Sequence, residues 1–153
     1  SRLSYADYSV FRDGVSPMWE DPECAKGGRW IVAVDRFMRR DARSEGQEEA
    51  LDESWLNVVL SLIGGAAYHD EIRGEDLPVC GGVCSVRKYN CKIALWVGTS
   101  EEGLLLKAGK QFRKSLKPLI DYMTNLDNNT SSEEENSRRP ARPSVRSKSI
   151  QST

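Results

Sequence analysis

The sequence predicts an α+β fold, in which amphipathic helices accompany antiparallel strands. Residues 29–34 alternate between two sides with a period of two, which indicates a strand. Residues 79–88 and 92–99 are two further strand-like runs joined by a short turn, as in a hairpin. Residues 51–63 and 103–116 repeat apolar side chains at helical spacing and predict two helices.

The remaining segments complete the order of elements. Residues 8–12 are predicted to form a short strand, and a long loop over 14–28 follows it. Residues 41–50 are charged and are expected to form a mobile insertion ahead of the first long helix. Residues 118–124 are expected to form a closing strand.

The length and the change in composition near the C-terminus predict one domain and a tail. The chain has 153 residues, which corresponds to a single domain. We expect the folded domain to cover residues 1–126. Residues 127–153 are rich in Ser, Glu and Arg without an apolar period, so we expect a disordered tail there.

Composition excludes several classes of function. The 22 basic and 23 acidic residues give a net charge of −1, so the chain is not a general polyanion binder. The four cysteines and the single His69 lack the spacing of a metal site, and buried reduced thiols are expected. We therefore expect no metal and no cofactor. The sequence has no Gly-rich phosphate loop and no nucleophile elbow, and an enzyme is not expected.

Trp19 and Glu20 are adjacent and follow a Gly/Ser/Pro loop. An indole face attracts cations, and a carboxylate accepts two N–H donors at once. The pair therefore suits a flat cationic ligand with N–H donors on its edge, such as a guanine methylated at N7. The alternatives are a Trp19 ring folded onto the core and a Glu20 that is an ordinary surface charge.

The second strand of the hairpin places Lys92 and Trp96 on one face, because they are an even number of residues apart. If Arg87 pairs with Lys92 around a turn at 88–91, Arg87 joins that face and Val83 lies opposite Trp96. Two cations beside an aromatic ring make a plausible phosphate-binding surface. The alternatives are a solvated strand end for the cations and an ordinary core position for Trp96.

The helix over 51–63 has two neighbouring apolar stripes. Both stripes could face the core, or the second could be partly exposed and bind a partner. The first stripe consists of Leu51, Trp55, Val59 and Leu62, and the second of Leu56, Leu60 and Ile63.

Taken together, these segments resemble the eukaryotic translation initiation factor 4E family, which binds the 5′ cap of messenger RNA. The resemblance covers roughly residues 5–125 and corresponds to the second two-thirds of the family domain. The matching segments lie in the family's order: residues 8–14, 17–21, 27–30, 55–56, 62–64, 79–81, 86–87 and 92–96.

The resemblance implies a curved antiparallel sheet with helices on its convex face. It also implies that Trp19 stacks on the cap base, Glu20 pairs with guanine, and Trp96 packs against the N7-methyl group. Arg87 and Lys92 correspond to contacts with the triphosphate, and Arg29 to a supporting cation. The family's first stacking Trp has no counterpart in this sequence, so we expect weaker cap binding, by roughly ten- to a hundredfold.

The resemblance also implies protein partners. These are the scaffold initiation factor 4G and the 4E-binding repressor proteins, and capped mRNA is the expected nucleic acid. The expected location is the cytoplasm, with the nucleus as an alternative, and no membrane partner is expected because no signal peptide or long apolar run is visible. An alternative function is a protein-interaction module with little cap affinity. The residues implied in partner binding are Leu56, Asn57, Leu60, Ile63 and Gly64.

Overall fold

A computed structural model of the chain describes residues 5–35 and 43–137. Its larger sheet has four antiparallel strands in the order β1-β5-β6-β2. The element bounds are β1 Asp7–Phe11, α1 Pro22–Ala25, β2 Gly28–Asp35, α2 Arg43–Gly64, β3 His69–Asp70, β4 Glu75–Asp76, β5 Val79–Val86, β6 Asn90–Val97, α3 Glu102–Ser115 and α4 Lys117–Ser137.

One face of this sheet forms the core with the helices. Ile93 and Leu95 of β6 are fully buried, as are Val58 of α2 and Leu119 of α4. Because side chains alternate along a strand, the intervening residues of β6 point to the opposite side. We call that opposite side the open face. It carries Phe11, Arg29 and Trp96, which lie side by side across the strands, and, further along β6, Lys92.

The predicted α+β class with an antiparallel sheet and packed helices is confirmed. Strands predicted over 8–12, 29–34, 79–88 and 92–99 all form, with ends shifted by at most two residues. The helix predicted over 103–116 is also present as α3.

The charged segment 41–50 differs from the expectation of a mobile insertion. Helix α2 begins at Arg43, so residues 43–50 belong to it, whereas residues 41 and 42 lie outside the described part. Gln47 and Ala50 are buried, and the side chain of Gln47 donates to the carbonyl of Asp35 at 2.7 Å. These contacts hold the first turns of the helix against the end of β2.

The closing strand predicted over 118–124 is wrong, because this segment is part of α4. Pro118 lies in the first turn, where its missing N–H costs no helical hydrogen bond. The apolar residues Leu116, Leu119 and Met123 recur three and four apart, which suits a helix packed on α2. The amide of Leu119 also donates to the Ser54 hydroxyl at 3.1 Å in the core.

The same helix runs through residue 127, where the disordered tail was expected to begin. Its backbone is helical to Ser137. Residues 138–153 lie outside the described part of the chain. The division into a domain over 1–126 and a tail over 127–153 therefore stays a prediction.

Candidate functional site

The loop that carries Trp19 and Glu20 is held by Asp21. One oxygen of the Asp21 carboxylate accepts from the Ser16 amide at 2.9 Å, and the other accepts from the Glu23 amide at 3.0 Å. Asp21 is thus the N-cap of α1, with Pro22 following it as the first helical residue. Asp21 was not predicted to have this role, although Asp-Pro-Glu is a typical helix-start signal.

Trp19 is exposed rather than folded onto the core. Its side chain is 71% exposed, and it lines a cavity of about 130 Å³ together with Trp96 and Arg29. The structure therefore brings together three of the predicted site residues. The other lining residues are Cys24, Ala25, Gly27, Gly28 and Val97.

Glu20 is also exposed and follows Trp19 directly in the loop. It is not among the residues that line this cavity. Its pairing with guanine stays a prediction.

Gly27 allows β2 to enter the sheet beside this cavity. A Cβ atom at this position would lie 1.6 Å from the carbonyl oxygen of Val97. Only glycine fits such a close approach of two backbones. Arg29 follows two residues later and pairs directly with Trp96.

Trp96 is contacted on two sides. The guanidinium of Arg29 lies 5.1 Å from its ring centroid. The ring of Phe11 meets it at 5.6 Å between centroids and 77° between planes. Sequence reasoning missed Phe11, because its strand pairs with β5, about 70 residues away in the chain.

The hairpin register differs from the one that was expected. The amide of Arg87 donates to the carbonyl of Asn90 at 2.9 Å, around a two-residue turn. Lys92 consequently lies opposite Ser85, and Gly81, not Val83, lies opposite Trp96. The register differs by two residues, so Lys92 and Trp96 still share one face, and Arg87 lies on that face too.

Arg87 is held by a carboxylate from the neighbouring strand. Its guanidinium donates to both oxygens of Asp7, at 2.9 and 3.0 Å. This hydrogen-bonded pairing lowers the pKa of Asp7 and raises the pKa of Arg87. Asp7 is a site residue that sequence reasoning missed, since 80 positions separate the two residues.

Lys92 is exposed on the open face between this ion pair and the aromatic cavity. Four residues separate it from Trp96, which corresponds to about 14 Å along a strand. Arg87 lies further in the same direction. The open face thus has an aromatic end, with Trp19, Trp96 and Arg29, and a cationic end.

A second surface lies on α2, on the helix side of the sheet. Leu56, Leu60 and Ile63 are 54%, 58% and 72% exposed, so this stripe does not face the core. Asn57 donates its side-chain amide to the carbonyl of Ser115 at 3.2 Å. Gly64, the last residue of α2, is exposed as well.

A larger cavity of about 270 Å³ adjoins this stripe at Ile63. It extends to Phe11 and to Tyr68, whose hydroxyl is buried and has no hydrogen-bond partner among the described residues. Burial raises the pKa of that hydroxyl above its usual range. The exposed stripe and this cavity together form a partly apolar surface.

The four cysteines are free and buried, as expected. Burial is the main cause that raises the pKa of Cys80 and of Cys84 to about 12. Such thiols are not nucleophiles at neutral pH. Across residues 5–35 and 43–137, no group of three or more His, Cys, Asp or Glu side chains could hold a metal ion. No helix in the same ranges is long and apolar enough to span a bilayer.

Comparison with known proteins gives one consistent result. A family model described as eukaryotic initiation factor 4E matches residues 1–140. The human initiation factor 4E is 35% identical over 133 residues, which are 82% of this chain and 54% of the human protein. The rice initiation factor isoform 4E-2 is 37% identical over 118 residues, which are 76% of this chain and 47% of the rice protein. The chain therefore spans about half the length of these relatives.

Solved structures agree with the sequence matches. Factor 4E-3 of Ascaris suum, solved with an m7G cap, matches with a TM-score of 0.59 and 33% identity over 75% of this chain and 58% of that one. Factor 4E-3 of Caenorhabditis elegans, solved with the 4E-binding protein Mextli, matches with a TM-score of 0.59 and 32% identity. That match covers 72% of this chain and 57% of the other.

Proposed function

Because the chain belongs to the eukaryotic initiation factor 4E family, we propose that it recognises the 7-methylguanosine 5′ cap of messenger RNA and takes part in translation initiation. The observation that supports this proposal is the cavity shared by Trp19, Trp96 and Arg29 on the open face. Two aromatic rings and a cation around one open cavity suit a flat, charged nucleobase with a phosphate attached.

The base is recognised at the aromatic end of the open face. Trp19 stacks on the purine, whose positive charge strengthens the attraction to the indole. Glu20 accepts the two N–H donors of the guanine edge, which an adenine cannot offer in that pattern. Trp96 lies against the N7-methyl group.

The triphosphate extends from this end towards the cations. Arg29 lies nearest the base, and Lys92 and Arg87 follow along the open face. Arg87 already binds a carboxylate, because its Nη2 donates to both oxygens of Asp7, while its Nη1 donates to the carbonyl of Val86. A phosphate carries similar oxygen acceptors, so it can bind Arg87 beside Asp7 or in place of Asp7.

The proposed role is recognition without a chemical step. Capture of capped messenger in the cytoplasm, or in the nucleus, needs no metal or cofactor. Selectivity comes from stacking, from the paired donors of guanine and from charge.

The experiment that tests this proposal is capture on a resin that carries 7-methyl-GTP. We expect the chain to be retained and to be eluted by free 7-methyl-GTP more readily than by GTP. Trp19→Ala should reduce the affinity by roughly ten- to a hundredfold, since base stacking on an aromatic contributes about 1–3 kcal/mol. Met18→Ala is the matched control, because Met18 is an exposed neighbour in the same loop. Equal retention of the Trp19→Ala variant and the wild type would contradict the proposal.

A second proposed function is peptide binding on α2, and the exposure of Leu56, Leu60 and Ile63 favours it. These side chains are spaced three and four apart, which suits an amphipathic helix from factor 4G or a 4E-binding repressor. Asn57 and Gly64 border the same surface. Asn57 offers no negative charge to an arginine of such a peptide, and its amide is bound to Ser115, so we expect modest affinity.

Leu60→Asp tests this surface in a pull-down with a 4E-binding repressor peptide. We expect at least tenfold weaker binding, because a charge would be buried in an apolar contact. Leu106→Asp places the same substitution at another exposed leucine, on α3, and should leave binding unchanged. If both variants bind as the wild type does, the stripe is not the docking surface.

A further inference from the structure

Four residues form a row across the open face, one from each strand of the sheet. Phe11 pairs with Gly81, Gly81 with Trp96, and Trp96 with Arg29. Directly opposed residues of antiparallel strands point to the same side. The row therefore has side chains from Phe11, Trp96 and Arg29, and none from Gly81.

Gly81 has no side chain, and there is no room for one at its position in the row. A Cβ atom on Gly81 would lie 2.6 Å from Cγ of Phe11 and 2.4 Å from the carbonyl oxygen of Val10. Real Cβ atoms do not approach other atoms so closely. The ring of Phe11 thus occupies the space above β5 that a residue at position 81 would otherwise fill.

The space above Gly81 brings two rings from non-adjacent strands together. The backbones of β1 and β6 are separated by β5, a spacing of about 10 Å. The ring centroids of Phe11 and Trp96 are nevertheless only 5.6 Å apart, with an interplanar angle of 77°. Such an edge-to-face arrangement is the favoured geometry for two aromatic rings.

Arg29 contacts Trp96 from β2, the other strand that pairs with β6. Its guanidinium lies 5.1 Å from the indole centroid. Trp96 is only half-buried and also lines the cavity with Trp19. The tilt of this indole is therefore set by contacts on the open face, and core packing has little part in it.

We infer that Phe11 is a positioning residue, which reaches Trp96 across the gap at Gly81 and sets the angle that the indole presents to the ligand. The inference rests on the proposed function, in which Trp96 lies against the N7-methyl group. When the Trp96 ring is held at a fixed angle, the area that it presents to the methyl group is fixed as well. Phe11 therefore governs discrimination between methylated and unmethylated guanine, although it lies on a different strand from any ligand contact.

The test compares dissociation constants for 7-methyl-GTP and GTP in two variants. Phe11→Leu removes the ring but keeps most of the apolar volume, and Phe11→Tyr keeps the ring. We expect Phe11→Leu to lower the ratio of the two constants roughly two- to tenfold, the factor that corresponds to one aromatic pair. Phe11→Tyr should keep the wild-type ratio.

The control and a ligand-free measurement separate positioning from general stability. Ser9→Ala changes the same strand on the same face, one row further along, opposite Val83, and should leave the ratio unchanged. The near-UV circular dichroism band assigned to Trp96, by its loss in Trp96→Phe, should weaken in Phe11→Leu and persist in Phe11→Tyr. Phe11→Val is a second variant without a ring, for use if Phe11→Leu fails to fold.

Two results would overturn the inference while the proposed function stands. One is a Phe11→Leu protein with the wild-type ratio and the wild-type Trp96 band. The other is a loss of affinity that is equal for both nucleotides, which would indicate a general structural role. A wild-type protein that binds the two nucleotides equally would overturn the proposed function, and the selectivity role of Phe11 with it.

Discussion

Asp70 shows at the scale of one residue how a buried charge is accommodated in this fold. Its side chain is buried, yet it accepts from Lys107 Nζ at 2.6 Å and from the amides of Ile72 and Arg73. The hydrogen bond from Lys107 is the main cause that lowers the pKa of Asp70, and burial opposes it. The carboxylate ties the β3–β4 turn to α3.

This pairing predicts a pH dependence of stability. A carboxyl group with a lowered pKa in the folded state stabilises the protein above its unfolded pKa of about 3.9, and the stabilisation disappears as the pH falls through the folded pKa. We expect Asp70→Asn to lower the urea midpoint at pH 7, with a smaller difference from wild type below about pH 4. Glu71→Gln removes an exposed neighbouring charge and should change little at either pH. A difference that widens in acid would contradict this account.

At the scale of the elements, local patterns could be predicted and long-range pairings could not. The alternation in β2 and the apolar period of α3 depend on neighbours in sequence, and both were predicted. The hairpin register was two residues off, because the turn between Arg87 and Asn90 has two residues and the sequence does not show its length. Parity still placed Lys92 and Trp96 on one face.

The other wrong predictions have the same physical cause, which is a dependence on contacts between segments distant in sequence. Helix α4 was expected to be a strand because a short apolar run fits either structure, and its packing on α2 decides the outcome. Phe11 and Asp7 were missed because they meet the site through the pairing of β1 with β5. Such a contact depends on tertiary structure and leaves no local pattern.

At the scale of the whole molecule, the sheet separates two candidate surfaces. The aromatic and cationic ends of the proposed cap site lie on the open face, whereas the exposed stripe of α2 lies in the helical layer on the other side. Phe11 links the two surfaces, because it contacts Trp96 on the open face and also lines the cavity beside Ile63. Under the two proposed functions, the nucleotide and the helical peptide bind on opposite sides of the sheet.

The most direct test of the central claim is a fluorescence titration with nucleotide. The chain has four tryptophans, and Trp19 and Trp96 line the proposed base site. We predict saturable quenching by 7-methyl-GTP at concentrations at least about tenfold lower than GTP requires, because only the methylated base carries a positive charge over the indole. Trp19→Phe should lose most of that quenching. An equal response to the two nucleotides would contradict the account.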